Sequence, residues 1–307
     1  VFLAWYKWWN LSLLATVSHS GDLIVHLSNQ ANLLTLLSFS AWFFFFYWYH
    51  GVGITLGYHR LLTHKSLKLP QWVTYFFVSG GYLCLMGAPI TWVAVHRLHH
   101  QKSDQPGDPH SPLDGFYHSL VIWMTEMNRY QSNEEIPRQA SDIIDDPVLR
   151  LLGYRHDAQQ ALLCLTVNVV FRVILFCVLG WVALLANVLA AMIVFVSTQL
   201  VNAVCHLQGV GYRTWETRDQ SRNVWFVGVL ALGEGWHNNH HGVPKSARHG
   251  MSWWEMDVTW YTVWVLEKLK LASMVIRPPK LPKQGAKAAL ESLLHLDLPK
   301  EVPAEPF

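Results

Sequence analysis

The sequence predicts an all-α integral membrane protein: four transmembrane helices, with a cytoplasmic helical cap that holds a histidine-rich dimetal site. Three observations predict it. Of 307 residues, 51% are hydrophobic and 14% charged, against roughly a quarter charged in a typical soluble domain, which excludes intrinsic disorder and argues against an ordinary soluble fold. Long stretches carry no Lys, Arg, Asp or Glu. The 17 histidines include clusters at helical spacing. A net charge of +2 gives no footprint for a polyanion, so nucleic acid is not an expected partner.

The spans follow in chain order. Residues 1–17 form a short first crossing, interrupted by Lys7 and Asn10, and 32–56 a second that is free of Lys, Arg, Asp and Glu. Either is apolar over a length comparable with the ~30 Å hydrocarbon layer at about 1.5 Å per helical residue. The tract 161–204 is long enough to be cut at Gly180 into spans 161–179 and 182–204. Arg172 inside the third span reads as a snorkelling or structural ion-pair residue. Residues 71–95 also lack charge, but Gly80-Gly81 and Gly87-Ala88-Pro89 cut them into pieces of about half a span, so they are expected to be re-entrant or interfacial.

The cap comprises 57–160 and 205–277, with a tail over 278–307, and the whole chain reads as a single domain. All of the 23 Lys and Arg except Lys7 and Arg172 fall in the cap or tail, which puts these and both termini on the cytoplasmic side by the positive-inside bias. Trp253, Met256, Trp260, Trp264 and Leu271 recur at helical spacing, as in an interfacial helix. Cys84, Cys164, Cys177 and Cys205 sit in apolar surroundings without a C-x-x-C pair and read as reduced, buried thiols. The chain opens on Val1, so a native start further upstream is expected.

The chemistry lies in the histidines. His59 and His64 follow the second span. His96, His99 and His100 share a helical face by their offsets of three and four, as do His237, His240 and His241. Asn202 and His206 stand one turn apart at the exit of the last span. His59 and His64 diverge by about 140° on a regular α-helix, so they need a helix end or two different metals. Nine imidazoles exceed one metal's needs and suit two metals with positions left open. Imidazole is compatible with Zn, Cu, Fe and Ni, but structural zinc takes four ligands and usually some Cys, and the all-nitrogen pair fits iron and dioxygen better. His19, His26, His50, His110, His118, His156, His249 and His295 lack this clustering and read as structural or solvated.

These boxes resemble the membrane fatty acyl desaturases of the stearoyl-CoA desaturase type, especially the bacterial members. The similarity runs from about Gly51 to Leu271. It rests on Gly53-Ile-Thr-Leu-Gly-Tyr-His-Arg-Leu-Leu-Thr-His64, on Val95-His-Arg-Leu-His-His100 with Asp104 and Asp108-Pro109-His110, and on Asn202-Ala-Val-Cys-His206. It continues through Tyr212-Arg-Thr-Trp-Glu-Thr-Arg-Asp-Gln-Ser-Arg-Asn223 and Gly233-Glu-Gly-Trp-His-Asn-Asn-His-His241. The resemblance implies a diiron enzyme that uses O2 to place a cis double bond, usually at the 9,10 position, in a long-chain acyl-CoA or acyl-lipid. It implies His59, His64, His96, His99, His100, His206, His237, His240 and His241 as iron ligands, with Asn202 bound through water; zinc is a possible occupant in a recombinant sample. Ala94-Val95 replaces the Arg-Asp pair of animal members, so an acyl-lipid carrier stays open. No heme-binding segment is visible, so electrons are expected from a separate ferredoxin or cytochrome b5 type donor.

An unactivated methylene offers no acidic proton and no electrophile, so the cofactor must supply the reactivity and the protein the positioning. Imidazole ligands need acceptors on their second nitrogen; candidates are Asp104, Asp108, Glu216, Asp219 and above all Glu234, three residues before His237. The aromatic run from Trp42 to Tyr49 offers Phe43 and Tyr47, one turn apart, as the floor of an acyl channel. Two other functions fit part of the pattern. The same scaffold can hydroxylate, or desaturate at another position. A histidine-lined metal transporter requires its ligands near mid-membrane.

Overall fold

The computed structural model describes residues 21–281, and these are helical, with three isolated β-bridges and no strand among them. The expected span 1–17 and the tail beyond residue 281 lie outside the described residues. Helix α1, Gly21–Val52, continues into a π-helical segment, Gly53–Thr63. Then come α2, Gln71–Tyr82, and α3, Pro89–Lys102. Short helices α4 (Phe116–Leu120), α5 (Met127–Tyr130), α6 (Ile136–Gln139) and α7 (Pro147–Leu151) lead to the long α8, Ala158–Val204. The chain closes with α9 (Trp225–Leu230), α10 (His237–Gly242) and α11 (Val258–Lys268).

Among the described residues two helical runs, rather than separate spans at 32–56, 161–179 and 182–204, are long and apolar enough to cross a membrane: Gln30–Thr63 and Ala158–Val204. Only 6% and 17% of their most apolar windows are buried within the protein. Side chains such as Leu34, Leu37, Phe44, Val173, Ile174 and Phe176 face outward. A core helix would bury them, so these surfaces belong against lipid and the protein is membrane-associated.

Gly180 interrupts α8 with φ 82° and ψ −178°. Arg172 Nη2 donates to Leu83 O at 3.2 Å, and Cys84 Sγ donates to Ala191 O at 3.2 Å. On a straight helix residues 172 and 191 would lie about 28 Å apart; their adjacent partners show that the two legs fold back on each other. Arg172 forms no ion pair among the described residues. Its guanidinium holds the Leu83 carbonyl and Asn168 instead.

The break in 71–95 falls at Leu83–Ala88, not at the glycine pair, because α2 runs through Gly80 and Gly81. Those glycines serve close packing: a Cβ on Gly53 would lie 2.3 Å from Gly81 N. The tryptophan-rich stretch is also less regular than its spacing suggests. Asp257 caps α11 by accepting from Trp260 N at 2.9 Å, so the helix starts at Val258 and leaves Trp253 outside it, 84% exposed. Cys84, Cys164 and Cys205 are buried and unpaired, whereas Cys177 is exposed.

Candidate metal centre

The π-helical segment resolves the awkward spacing of the first pair. His64 N donates to His59 O at 3.1 Å, a bond reaching five residues back. In such a helix residues i and i+5 sit one above the other, as i and i+4 do in an α-helix. Arg97, inside the second histidine cluster, steadies this end by donating to Leu62 O and Thr63 O at 3.1 and 3.2 Å.

The nine imidazoles converge as two adjoining groups. His59, His64, His96, His100 and His240 form one; His99, His206, His237 and His241 form the other; within each, the candidate ligand atoms lie within 4.8 Å of one another. The two three-histidine clusters are therefore shared between groups. At 100° per residue the i,i+4 pair of each helix stays within about 40° and serves one group, while the third member turns toward the other. His100 and His241 rings, 4.6 Å apart, join the groups.

The inner atoms are Nε2. In the first group His59 and His240 are 3.1 Å apart at these atoms, His96 and His100 3.1 Å, and His100 and His240 2.9 Å. In the second, His206–His237 and His237–His241 are 3.0 and 3.1 Å. With metal–nitrogen bonds of about 2.1 Å, ligands at right angles stand about 3.0 Å apart and ligands at the tetrahedral angle about 3.4 Å. The spacing thus suits a higher-coordinate metal. Nε2 of His64 and of His99 is buried without a hydrogen-bond partner, which is the condition of an atom awaiting a metal.

Carboxylates hold the outer nitrogens. His59 Nδ1 meets Glu234 Oε2 at 2.6 Å, His99 Nδ1 meets Asp108 Oδ1 at 2.9 Å, His206 Nδ1 meets Asp104 Oδ2 at 2.9 Å and His241 Nδ1 meets Asp219 Oδ2 at 2.7 Å. A proton kept at Nδ1 leaves the Nε2 lone pair facing inward, so these contacts set the ligating tautomer. Burial, and then neighbouring imidazoles, hold His64, His96, His100, His237 and His240 well below the usual range. Burial lowers His241 to about 4 despite Asp219. His99 goes the other way: burial lowers it, but the charge and hydrogen bond of Asp108, together with the charges of Asp104 and Asp219, raise it overall. Burial would raise Asp104, Asp108, Asp219 and Glu234, yet the adjacent histidines hold all four low and ionised.

Glu234 carries more than one role. It also accepts from Arg60 Nη2 at 2.9 Å and lies 3.3 Å from His249 Nδ1, while Arg60 reaches Asp257 at 3.0 and 3.1 Å and Ala247 O at 2.7 Å. Gly233 makes room for this network: its φ is +117°, and a Cβ would lie 2.3 Å from Asp257 Oδ1. The two asparagines of α10 anchor that helix. Asn238 Oδ1 accepts from Thr214 N and Trp215 N at 2.6 and 2.7 Å, and Asn239 Nδ2 donates to Glu255 Oε2 at 2.9 Å.

Sequence reasoning missed three buried residues here. His110 stacks on His99 with ring centres 4.3 Å apart, His249 lies 4.5 Å from His240, and Arg60 is completely enclosed. The signals were present, as Asp108-Pro-His110 and as Arg60 beside His59. Glu216, by contrast, is exposed. The amide of Asn202 donates to Gln199 Oε1 at 3.2 Å, and the residue lines a cavity that also reaches His96. That cavity, about 580 Å³, runs beside the second imidazole-bearing helix, α3, and the open end of α8. Phe43 and Tyr47 do not line it. Phe43 packs into the cluster of Phe46, Tyr49, Leu175 and Ala190, and Tyr47 is held by donating to Leu230 O at 2.5 Å. His50, buried, bonds Gly80 O and Asn187, each at 2.9 Å, and is part of the packed interior.

Comparison with known proteins gives consistent matches. The profile of the fatty acid desaturase family matches residues 34–272. The chain is 42% identical over 231 residues to the sn-1 stearoyl-lipid 9-desaturase of Anabaena variabilis, covering 75% of this chain and 80% of that protein. It is 41% identical over 235 residues to the chloroplastic palmitoyl-monogalactosyldiacylglycerol delta-7 desaturase of Arabidopsis thaliana, covering 76% and 60%. Delta-9 acyl-lipid desaturase 1 of the same plant is 40% identical over 235 residues, covering 76% and 73%.

Proposed function

The chain belongs to the fatty acid desaturase family, and from that premise we propose that it places a cis double bond at the Δ9 position of a long-chain acyl group esterified to a membrane lipid. The observation that carries this is the meeting of nine imidazoles in two adjoining groups beside a cavity that reaches His96. Two relatives named for the 9 position on lipid-bound chains support the position and the carrier.

In this reading His59, His64, His96, His100 and His240 hold one iron, and His99, His206, His237 and His241 hold the other, with Asn202 joined through water. When bound, the iron pair supplies the oxygen activation that no amino-acid side chain can supply to an unactivated methylene. The balance is fixed: two hydrogens leave adjacent carbons, and O2 with two electrons and two protons leaves as two waters. The electrons come from a separate carrier of ferredoxin or cytochrome b5 type.

The chain's own residues perform three tasks. Asp104, Asp108, Asp219 and Glu234 keep a proton at Nδ1 of their histidines, so that Nε2 stays a ligand. The π-helical segment and α10 fix the ring positions. Apolar walls of the cavity, such as Met86, Val95 and Met124, align a chain and exclude water. The two legs of α8 are each long enough, at about 33 and 36 Å, to cross the hydrocarbon layer. With α1 this gives three crossings among the described residues, and the reading puts the metal centre at the cytoplasmic edge.

Anaerobic loading with Fe(II), followed by reduced ferredoxin, O2 and a stearoyl glycerolipid, tests the reading by mass spectrometry. A product two hydrogens lighter with the double bond at carbon 9 is expected. A hydroxylated product, or metal-dependent ion flux without oxygen consumption, would overturn it.

A further inference from the structure

The cavity has two polar poles joined by an apolar wall. One pole is the metal side, with His96 and Asn202; the other lies where α8 begins and includes Asn128, Arg155, His156 and Gln160. Most polar groups at the second pole are already engaged. Arg155 pairs with Asp157, Gln160 Nε2 donates to Leu152 O at 2.8 Å, and Asn128 Nδ2 donates to His156 O at 3.3 Å. His156 differs. Its backbone is clamped on both sides, since Asn133 Oδ1 accepts from its N–H at 2.7 Å while Asn128 holds its carbonyl. Its ring Nε2 is nevertheless buried with no hydrogen-bond partner.

We propose that His156 sets the register of the acyl chain, its ring N–H donating to the ester carbonyl that joins the chain to its lipid. The inference rests on the desaturase reading above and adds the residue that decides where along the chain the reaction falls. Three features support it. A buried polar atom without a partner carries a penalty that a ligand's acceptor relieves. Burial lowers the His156 imidazole to about 4, so the ring is neutral and keeps one N–H to donate. The residue also stands just ahead of the start of α8 at Ala158, and in the proposed topology that is the end at which the helix enters the hydrocarbon, where the ester linkage of a bilayer lipid lies.

The wall between the poles, with Met86, Val95, Met124 and Cys164, offers dispersion contacts that every methylene satisfies equally, so it cannot fix a register. One polar anchor can. With the carbonyl held at His156, a constant number of methylenes separates it from the metal side.

The test reads double-bond position by mass spectrometry on the iron-loaded full chain in vesicles of a 1-stearoyl monohexosyl diacylglycerol. Wild type is expected to give one position. His156→Gln, which keeps a donor, is expected to keep it. His156→Leu is expected to spread the product over neighbouring positions and raise KM about tenfold, with little change in kcat. A second arm needs no variant: wild type given the 1-O-octadecyl ether analogue, which lacks the carbonyl, is expected to show the same spread. A single unchanged position for both His156→Leu and the ether lipid would overturn the proposal while leaving the desaturase reading intact. If His156→Leu fails to fold, the ether lipid alone decides. Absence of any unsaturated product from wild type with the ester lipid would overturn both.

Discussion

The two imidazole groups share helices α3 and α10 but are braced differently. In the second group three of the four histidines, His99, His206 and His241, each lean on their own aspartate. Those aspartates are tied down in turn: Gln220 N donates to Asp104 Oδ2 at 2.7 Å, Asp104 N to Asp108 Oδ2 at 3.0 Å, and Ser221 N to Asp219 Oδ1 at 3.1 Å. In the first group, among the described residues, only His59 has a carboxylate, Glu234, and that carboxylate is shared with Arg60 and His249. The first group also meets the cavity, through His96. In the function proposed above the difference amounts to a division of labour: one site is held by more carboxylates, and the other meets the cavity proposed for the acyl chain.

Breaking one group at a time tests the division most severely. His237 and His240 lie one turn apart on α10 but serve different groups. Replacing either with Ala is expected to abolish desaturation and to lower bound metal from two ions per chain to about one. Metal analysis checks this; two ions retained in either variant would end the partition. Acid is the next largest effect, read on the metal-free chain. For the histidines held below their ordinary value, the folded state favours the neutral ring, so their stabilisation is present above pH 6.5 and is lost as pH falls below it, for His241 toward about 4. His99, raised by Asp108, acts in the opposite sense: its stabilisation is complete below 6.5 and is lost as pH rises through its folded value. Lowered rings outnumber it, so the thermal midpoint is expected to drop between pH 6.5 and 4.

The braces themselves give a smaller effect. Asp219→Asn and Glu234→Gln are each expected to weaken the metal at their own group by roughly 10–100-fold, seen as faster loss to a chelator. In the unaltered protein the first group is expected to empty first. Glu234→Gln should also lower the thermal midpoint, because Arg60 is fully buried and loses one of its two carboxylates, a change costing on the order of 3 kcal/mol. Equal chelation rates for the two groups would contradict the contrast between them.

Much of this was legible because the information was local. Offsets of three and four placed the histidine clusters on helix faces, and Gly180 marked a fold-back inside a long apolar run whose one charged residue is Arg172. What stayed hidden depended on partners far away in the chain. Asp104 braces His206, and Glu234, which stands near His237 in sequence, braces His59 and is joined through Arg60 to Asp257; no local spacing shows which histidine a carboxylate serves. The π-helical segment was hidden for another reason. It brings His59 and His64 together by departing from the 3.6-residue repeat on which pattern reading depends. His110 and His249 lack clustered neighbours in sequence, and acquire their burial only when the two groups assemble.

A last comparison sets the aromatic run of α1 against the cavity, and it carries the smallest expected effect. The run looks like a channel lining in sequence, yet its rings are spent on one another and on α8: Phe43 lies 5.8 Å from Tyr47, Trp42 lies 5.8 Å from Phe46, and Phe46 and Tyr49 pack on Leu175 and Ala190. Tyr47→Phe removes one hydrogen bond, to Leu230 O, and is expected to cost about 1 kcal/mol of stability while leaving chain-length preference unchanged. Phe43→Ala is expected to lower the thermal midpoint further and likewise leave the preference in place, because neither side chain borders the space that reaches His96. Product profiling with acyl chains of graded length checks both. A shift in preferred length in either variant would move the channel to the α1 face, and with it the side from which the chain approaches the first imidazole group.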